Sequence, residues 1–153
     1  MEIKRYGAKE FLAAGKLCIR ENEIHIWCIC WPEMTDFWVN HEYILSGQES
    51  EQVGRFRFSE DRMRYIAGKV VVRLLLKRYL DVETIDFSVS ERGKPYHKKI
   101  AGKQTVDFNI SHSGEFILAG FAVGMDIGVD VQEMAGCPDY REIAGNFYTE
   151  DGR

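Results

Sequence analysis

Four side chains, Arg64, Lys94, His112 and Asp130, are of types that could act together on a phosphorylated ligand. His112 stands in "VDFNISHSGEF", between two apolar runs. A turn there needs Gly114 and tolerates Ser111 and Ser113, but it has no need of an imidazole. Lys94 sits in a sharp Gly93-Lys94-Pro95 turn, its ammonium free to swing toward a phosphate. Asp130 interrupts the apolar run "IGVDV", where a carboxylate is costly unless it lies at a rim, is hydrogen-bonded or holds a cation. Mg²⁺ shared with substrate phosphates meets that need, because this ion takes one or two carboxylates and fills its shell with phosphate oxygens and water. Arg64 falls near a helix start, within reach of a ligand lying beside that end. Each residue also has a plain structural role: a strand-end aspartate forms turns, a histidine beside serine bonds within its turn, and a turn lysine is solvated. A nucleophilic Ser-His pair is disfavoured, since sequence neighbours seldom face each other and no Gly-x-Ser-x-Gly elbow occurs. Two cations and one acid on turns and strand ends are what a diphosphate-plus-metal site requires.

The elements that must position these groups are legible. "NEIHIWCICW" alternates Ile24, Ile26, Cys28 and Cys30 against His25, Trp27, Ile29 and Trp31, so it reads as a strand covered on both faces. "PEMTDFWVNHEYIL" reads as a partly helical connection. "SEDRMRYIAGKVVVRLLLKRYL" reads as a long helix with Ser59 as N-cap and Glu60 and Asp61 in its first turn. Its buried stripe is Met63, Ile66, Ala67, Val70, Val71, Leu74 and Leu75. Gly68 within that stripe points to close approach by another backbone. Lys69, Arg73 and Lys77 recur four apart and read as a solvated flank. Strands follow at Ile85–Val89, at "VDFNI", at "FILAGFAV" and at "IGVDVQ", with a further helix at "YREIAGNFY". The order gives an α+β fold, a mostly antiparallel sheet packed on one long helix.

The chain has 153 residues, with 45% hydrophobic and 29% charged content, as in ordinary globular proteins. Its net charge of −4 gives no global pull toward nucleic acid, and no uncharged apolar run is long enough to span a membrane. Cys18, Cys28, Cys30 and Cys137 form no disulfide framework, and a reducing cytoplasm is the expected setting. Zinc at His25, Cys28 and Cys30 lacks a fourth ligand and a turn, so structural cysteines are the better reading.

"ERGKPY", "FNISHSG" and "IGVDVQ", in that order, resemble the 4′-phosphopantetheinyl transferases of the larger, surfactin-synthetase-activating type. "EDRMRYIAGKVVVRLLL" is similar to that family's first long helix, and the likeness runs over residues 22 to 150. The resemblance implies an enzyme that moves phosphopantetheine from coenzyme A to a serine of an apo-acyl or peptidyl carrier protein. By motif, Lys94 and His112 would hold coenzyme A phosphates, Ser111 would assist, and Arg64 would reach the adenosine-side phosphate. Asp130 would bind Mg²⁺, and the chemistry would depend on Asp130 and His112.

Two departures stand out. Where the family has a second acid, this chain has Gln132, a neutral metal ligand; where it has lysines in "LSGQESEQVGRFRF", this chain has Glu49 and Gln52. Contacts to coenzyme A are then expected to move to Arg55 or Arg57. The family's Trp-x-x-Lys-Glu helix does not occur, so residues 1–123 read as a first half and 124–153 as the opening strand and helix of an incomplete second half. An exposed apolar seam there would favour a homodimer. The alternative reading is a non-catalytic coenzyme A or carrier-protein binding module.

Overall fold

An alternating strand with bulk on both faces needs two covers, and the fold supplies them. The structure, a computed structural model, describes residues 1–13, 15–124, 127–130 and 146–149, with backbone only for Ser113, 128–130 and 146–149. Strand β2 (Glu23–Cys30) is buried along nearly all of its length. It belongs to a four-stranded sheet ordered β1-β2-β6-β5. β1 (Glu2–Tyr6) pairs parallel to β2, and β6 (Phe116–Val123) and β5 (Val106–Ser113) continue antiparallel, leaving β5 at an edge. Trp27 and Ile29 pack with Val70, Leu75 and Phe121 on one face. Ile24, Ile26 and Cys28 pack with Phe116, Leu118 and Ile127 on the other. Burial pushes the Cys28 thiol up to about 12, as for a cysteine that packs rather than reacts.

The first cover is the long helix. After α1 (Ala8–Leu12), α2 (Thr35–His41) and α3 (Gly47–Val53), helix α4 spans Ser59–Leu80. It buries Ile66, Ala67, Val70, Val71, Val72, Leu75, Leu76, Tyr79 and Leu80, whereas Met63 and Leu74 are half-buried. Ser59 does not cap it: Phe58 holds the N-cap position in extended backbone, and Ser59 is already helical. At the other end Asp81 turns left-handed (φ 54°) and donates its N–H to the Lys77 carbonyl. Gly68 does not meet another backbone, because a Cβ there would lie 3.4 Å from the Ile110 side chain. A polar tie fixes helix to sheet. Trp27 Nε1 donates to the Tyr79 hydroxyl (2.9 Å), which lies 2.7 Å from His25 Nδ1. This contact engages Nδ1 of the buried His25 imidazole within the core.

Two small ribbons complete the described chain. β3 (Phe87–Val89) and β4 (Pro95–His97) form a hairpin beside β5, where His97 Nε2 accepts from the Val106 N–H (3.0 Å). β7 (Ile127–Asp130) pairs antiparallel with β8 (Asn146–Thr149). β8 replaces the end of the expected helix at "YREIAGNFY"; Phe147, Tyr148 and Thr149 follow Gly145 and have strong strand preferences. The rest of that segment, and most of the expected seam, lie outside the described residues. Among the described residues no helix is long and apolar enough to cross a membrane.

Candidate functional site

β5 places alternate side chains on opposite sides of the sheet. Phe108, Ile110 and His112 face α4 and line a cleft of about 1000 Å³. α4 supplies Arg64, Tyr65, Lys69 and Arg73 to the same cleft; the start of α3 supplies Ser46, Gln48 and Glu49, and β3 supplies Phe87 and Val89. Arg64 and His112, chosen from sequence, are thus brought together. Arg64 Nε donates to the Gly114 carbonyl (3.0 Å), which also accepts from Trp31 Nε1 (2.6 Å). Gly114 has φ 54°, so the turn that follows His112 needs its glycine. The remaining Arg64 nitrogens contact Asp61 and Glu60, both at 3.0 Å. Those carboxylates are 46% and 66% exposed while Arg64 is 16% exposed. Such rim pairs are weak, and an incoming phosphate can displace them while the Gly114 bond keeps the fork aimed. Burial, and then the Arg64 charge, lower the pKa of His112 below its ordinary 6.5. The free imidazole is neutral at neutral pH and offers a hydrogen bond rather than a charge.

Lys94 is placed differently. Its Nζ lies 3.2 Å from Asp107 Oδ2 and donates to the Ile127 carbonyl (3.1 Å). The same Asp107 oxygen accepts from the Ile127 N–H (2.9 Å). Lys94 is therefore engaged rather than free to swing, and it clasps β5 to the first residue of β7. Asp107 precedes His112 by five positions, about 17 Å along a strand. Asp107 and Ser111 also alternate to the face opposite His112. The candidates wrap around the edge strand: Arg64 and His112 on the α4 side, Lys94, Asp107 and Ser111 on the other. The Asp130 backbone ends β7, opposite Asn146. The Asp130 side chain and all of Gln132 lie outside what is described, and among the described residues no group of three acids, histidines or cysteines could hold a metal.

Sequence reasoning passed over the cleft residues Lys69, Arg73 and Lys77. Lys69 and Arg73 are half-buried, not a solvated flank. Arg73 donates from Nε to Glu49 Oε1 (2.8 Å), with Nη2 also at 2.8 Å, and its guanidinium covers the Phe87 ring at 4.7 Å. Lys69 Nζ sits 5.4 Å above the Tyr65 ring. Their four-residue spacing showed one shared face, but only the packing of α3 and β3 against it shows that the face lines a cleft. Arg55 pairs with Glu51 in solvent and Arg57 lies over Phe58; neither lines the cleft.

The sequence profile of the 4′-phosphopantetheinyl transferase N-terminal family matches residues 30–122, more than half of the chain. The chain belongs to that family. Among transferases with which this family member can be aligned, HetI of Nostoc is 29% identical over 134 residues, 86% of this chain and 56% of HetI. Sfp of Bacillus subtilis is 35% identical over 108 residues, 69% of this chain and 46% of Sfp. The rat L-aminoadipate-semialdehyde dehydrogenase-phosphopantetheinyl transferase is 25% identical over 114 residues, 69% of this chain and 36% of that enzyme. The chain thus spans about half the length of HetI and Sfp, and less of the rat enzyme. The matched stretch includes α4, β5 and nearly all of β6, the elements that carry Arg64, His112 and the Gly114 turn.

Proposed function

We propose that this chain takes part in transferring 4′-phosphopantetheine from coenzyme A to a serine of an acyl or peptidyl carrier protein, in the cytoplasm, where reduced coenzyme A is found. The observation that carries the reading is the meeting of Arg64 and His112, from two separate elements, in one large cleft of a phosphopantetheinyl transferase chain. Arg64 and His112 hold phosphate oxygens on the α4 side, and Lys94 acts from the far side of β5 once a phosphate competes for its ammonium. In the transfer, the carrier serine hydroxyl gives up its proton to solvent as its oxygen bonds to the phosphorus next to pantetheine, and the bond from that phosphorus to the diphosphate bridge breaks. Adenosine 3′,5′-bisphosphate leaves with the electron pair, while these cations and hydrogen bonds stabilise the charge that develops. Asp130 and Gln132 together offer one carboxylate and one amide oxygen, a donor set that suits Mg²⁺ when substrate phosphates complete the shell. When bound, the ion would neutralise diphosphate charge.

Gln132 also favours a second reading, a module that binds coenzyme A without transferring from it. Incubation with coenzyme A, Mg²⁺ and an apo-carrier protein, read by the carrier's mass, tests both. Formation of holo-carrier that stops with Arg64→Ala or His112→Ala supports transfer. Coenzyme A binding that is indifferent to Mg²⁺, with no product, supports the second reading. Absence of any coenzyme A binding refutes both.

A further inference from the structure

Glu49 and Arg73 form a pair inside the cleft, with side chains 16% and 15% exposed. Two Arg73 nitrogens converge on one Glu49 oxygen at 2.8 Å. That oxygen also accepts from the Ser46 N–H (2.9 Å), while the Ser46 hydroxyl accepts from the Glu49 N–H (3.1 Å), closing a capping box at the start of α3. The carboxylate therefore has two separable jobs. As an oxygen acceptor it caps α3, a task that glutamine performs as well. As a charge it fills an arginine fork whose planar donors suit a phosphate equally.

Lys69 precedes Arg73 by one helical turn on the same face, which places the two side chains side by side. Among the described residues no carboxylate pairs with Lys69, whose ammonium lies over Tyr65. Further along α4 the cleft becomes acidic: Lys77 is two turns beyond Lys69, about 12 Å, and Glu83 and Asp86 line that end. An anion is drawn instead to the Lys69–Arg73 stretch, toward Arg64 and His112. There it meets one open cation and one that is already neutralised.

We propose that Lys69 and Arg73 form an anion subsite that Glu49 holds closed, so that Glu49 sets how strongly the cleft takes the outlying phosphate of a phosphorylated nucleotide. This rests on the proposed binding of coenzyme A in the cleft. Coenzyme A carries a ribose 3′-phosphate away from its diphosphate; 3′-dephospho-coenzyme A lacks it. Glu49 repels that group and competes for Arg73, which narrows the preference for coenzyme A over its dephospho form.

The test is calorimetric titration of both nucleotides into wild type, Glu49→Gln and Glu49→Gln/Lys69→Ala, with thermal unfolding as the control for folding. Glu49→Gln is expected to bind coenzyme A about tenfold tighter, to leave dephospho-coenzyme A within about twofold, and to lose its gain when Lys69 is also removed. A folded Glu49→Gln with no gain for coenzyme A shows that Glu49 serves only as a cap and overturns the proposal. An equal gain for both nucleotides places the pair at a shared part of the ligand and also overturns it. Should Glu49→Gln fail to fold, Lys69→Ala in the wild-type background decides: a fall in coenzyme A affinity alone supports the subsite, and an unchanged ratio refutes it. Wild type that binds neither nucleotide refutes the underlying coenzyme A reading, a result distinct from normal wild-type binding with unresponsive variants.

Discussion

Replacing Asp107 with alanine removes the acceptor shared by the Lys94 ammonium and the Ile127 N–H. The ion pair is 24% and 22% exposed, so after screening it contributes about 1 kcal/mol. Ile127 is 1% exposed, and its N–H, left without the carboxylate, costs about 1–3 kcal/mol more. The total of about 2–4 kcal/mol lowers Tm by roughly 5–15 °C for a chain of this size. Asp107→Asn keeps an oxygen for the Ile127 N–H and loses only the ion pair, so its cost is about 1 kcal/mol, or roughly 2–4 °C. Thermal unfolding by circular dichroism reads both, and hydrogen exchange at the Ile127 amide reads the broken bond directly. The penalty of the asparagine variant should also shrink in high salt, where exposed pairs are screened. Equal losses for the two variants, or none for either, would refute the clasp as described.

Three further outcomes follow from the geometry. Tyr79→Phe strands the Trp27 indole N–H and His25 Nδ1 together, and should destabilise by about 2–5 kcal/mol by denaturant titration; a loss under about 1 kcal/mol contradicts the tie. Gly68→Ala should be neutral or stabilising by up to about 1 kcal/mol, since the new Cβ meets only the tip of Ile110 while the helix gains propensity; a clear loss of Tm would show that the contact cannot yield. Burial lowers the pKa of both His25 and His112, so the unfolded chain takes up protons before the native one does. Their contribution is complete above the ordinary value near 6.5 and drains as pH falls through the lower native values. Lys4 and the Arg20 N–H hold Glu23 at about 2, so its share is lost only at still lower pH, below the ordinary carboxylate value and down through about 2. Tm measured from neutral to acidic pH should therefore begin to fall below the ordinary histidine range, and His25→Gln should flatten that first fall.

The sequence made the two-faced β2 and the long α4 legible because both follow strict periodicities: Ile24, Ile26 and Cys28 lie on one side of the sheet, Trp27 and Ile29 on the other. Arg64 and His112 were legible for another reason, since neither a helix start nor the end of β5 before the Gly114 turn needs those side chains. What the pattern could not show were polar contacts made across the fold. Lys94 reaches Asp107 over 13 positions and Arg73 reaches Glu49 over 24, pairings set by how a hairpin and a short helix pack. The N-cap of α4 was misplaced by one residue because Phe58 and Ser59 differ in backbone geometry, which residue type alone does not fix. β8 was read as the end of a helix at "YREIAGNFY", and the pairing with β7 decides for strand.

The central claim is that the cleft between α4 and β5 receives coenzyme A through Arg64 and His112. Titration of coenzyme A into the isotopically labelled chain, followed by NMR, tests it residue by residue. The account predicts shifts concentrated at Arg64, Lys69, Ile110, His112 and Gly114, with affinity falling about tenfold in Arg64→Ala. Shifts confined to the β1 edge of the sheet, or an Arg64→Ala variant that binds as wild type does, would contradict it.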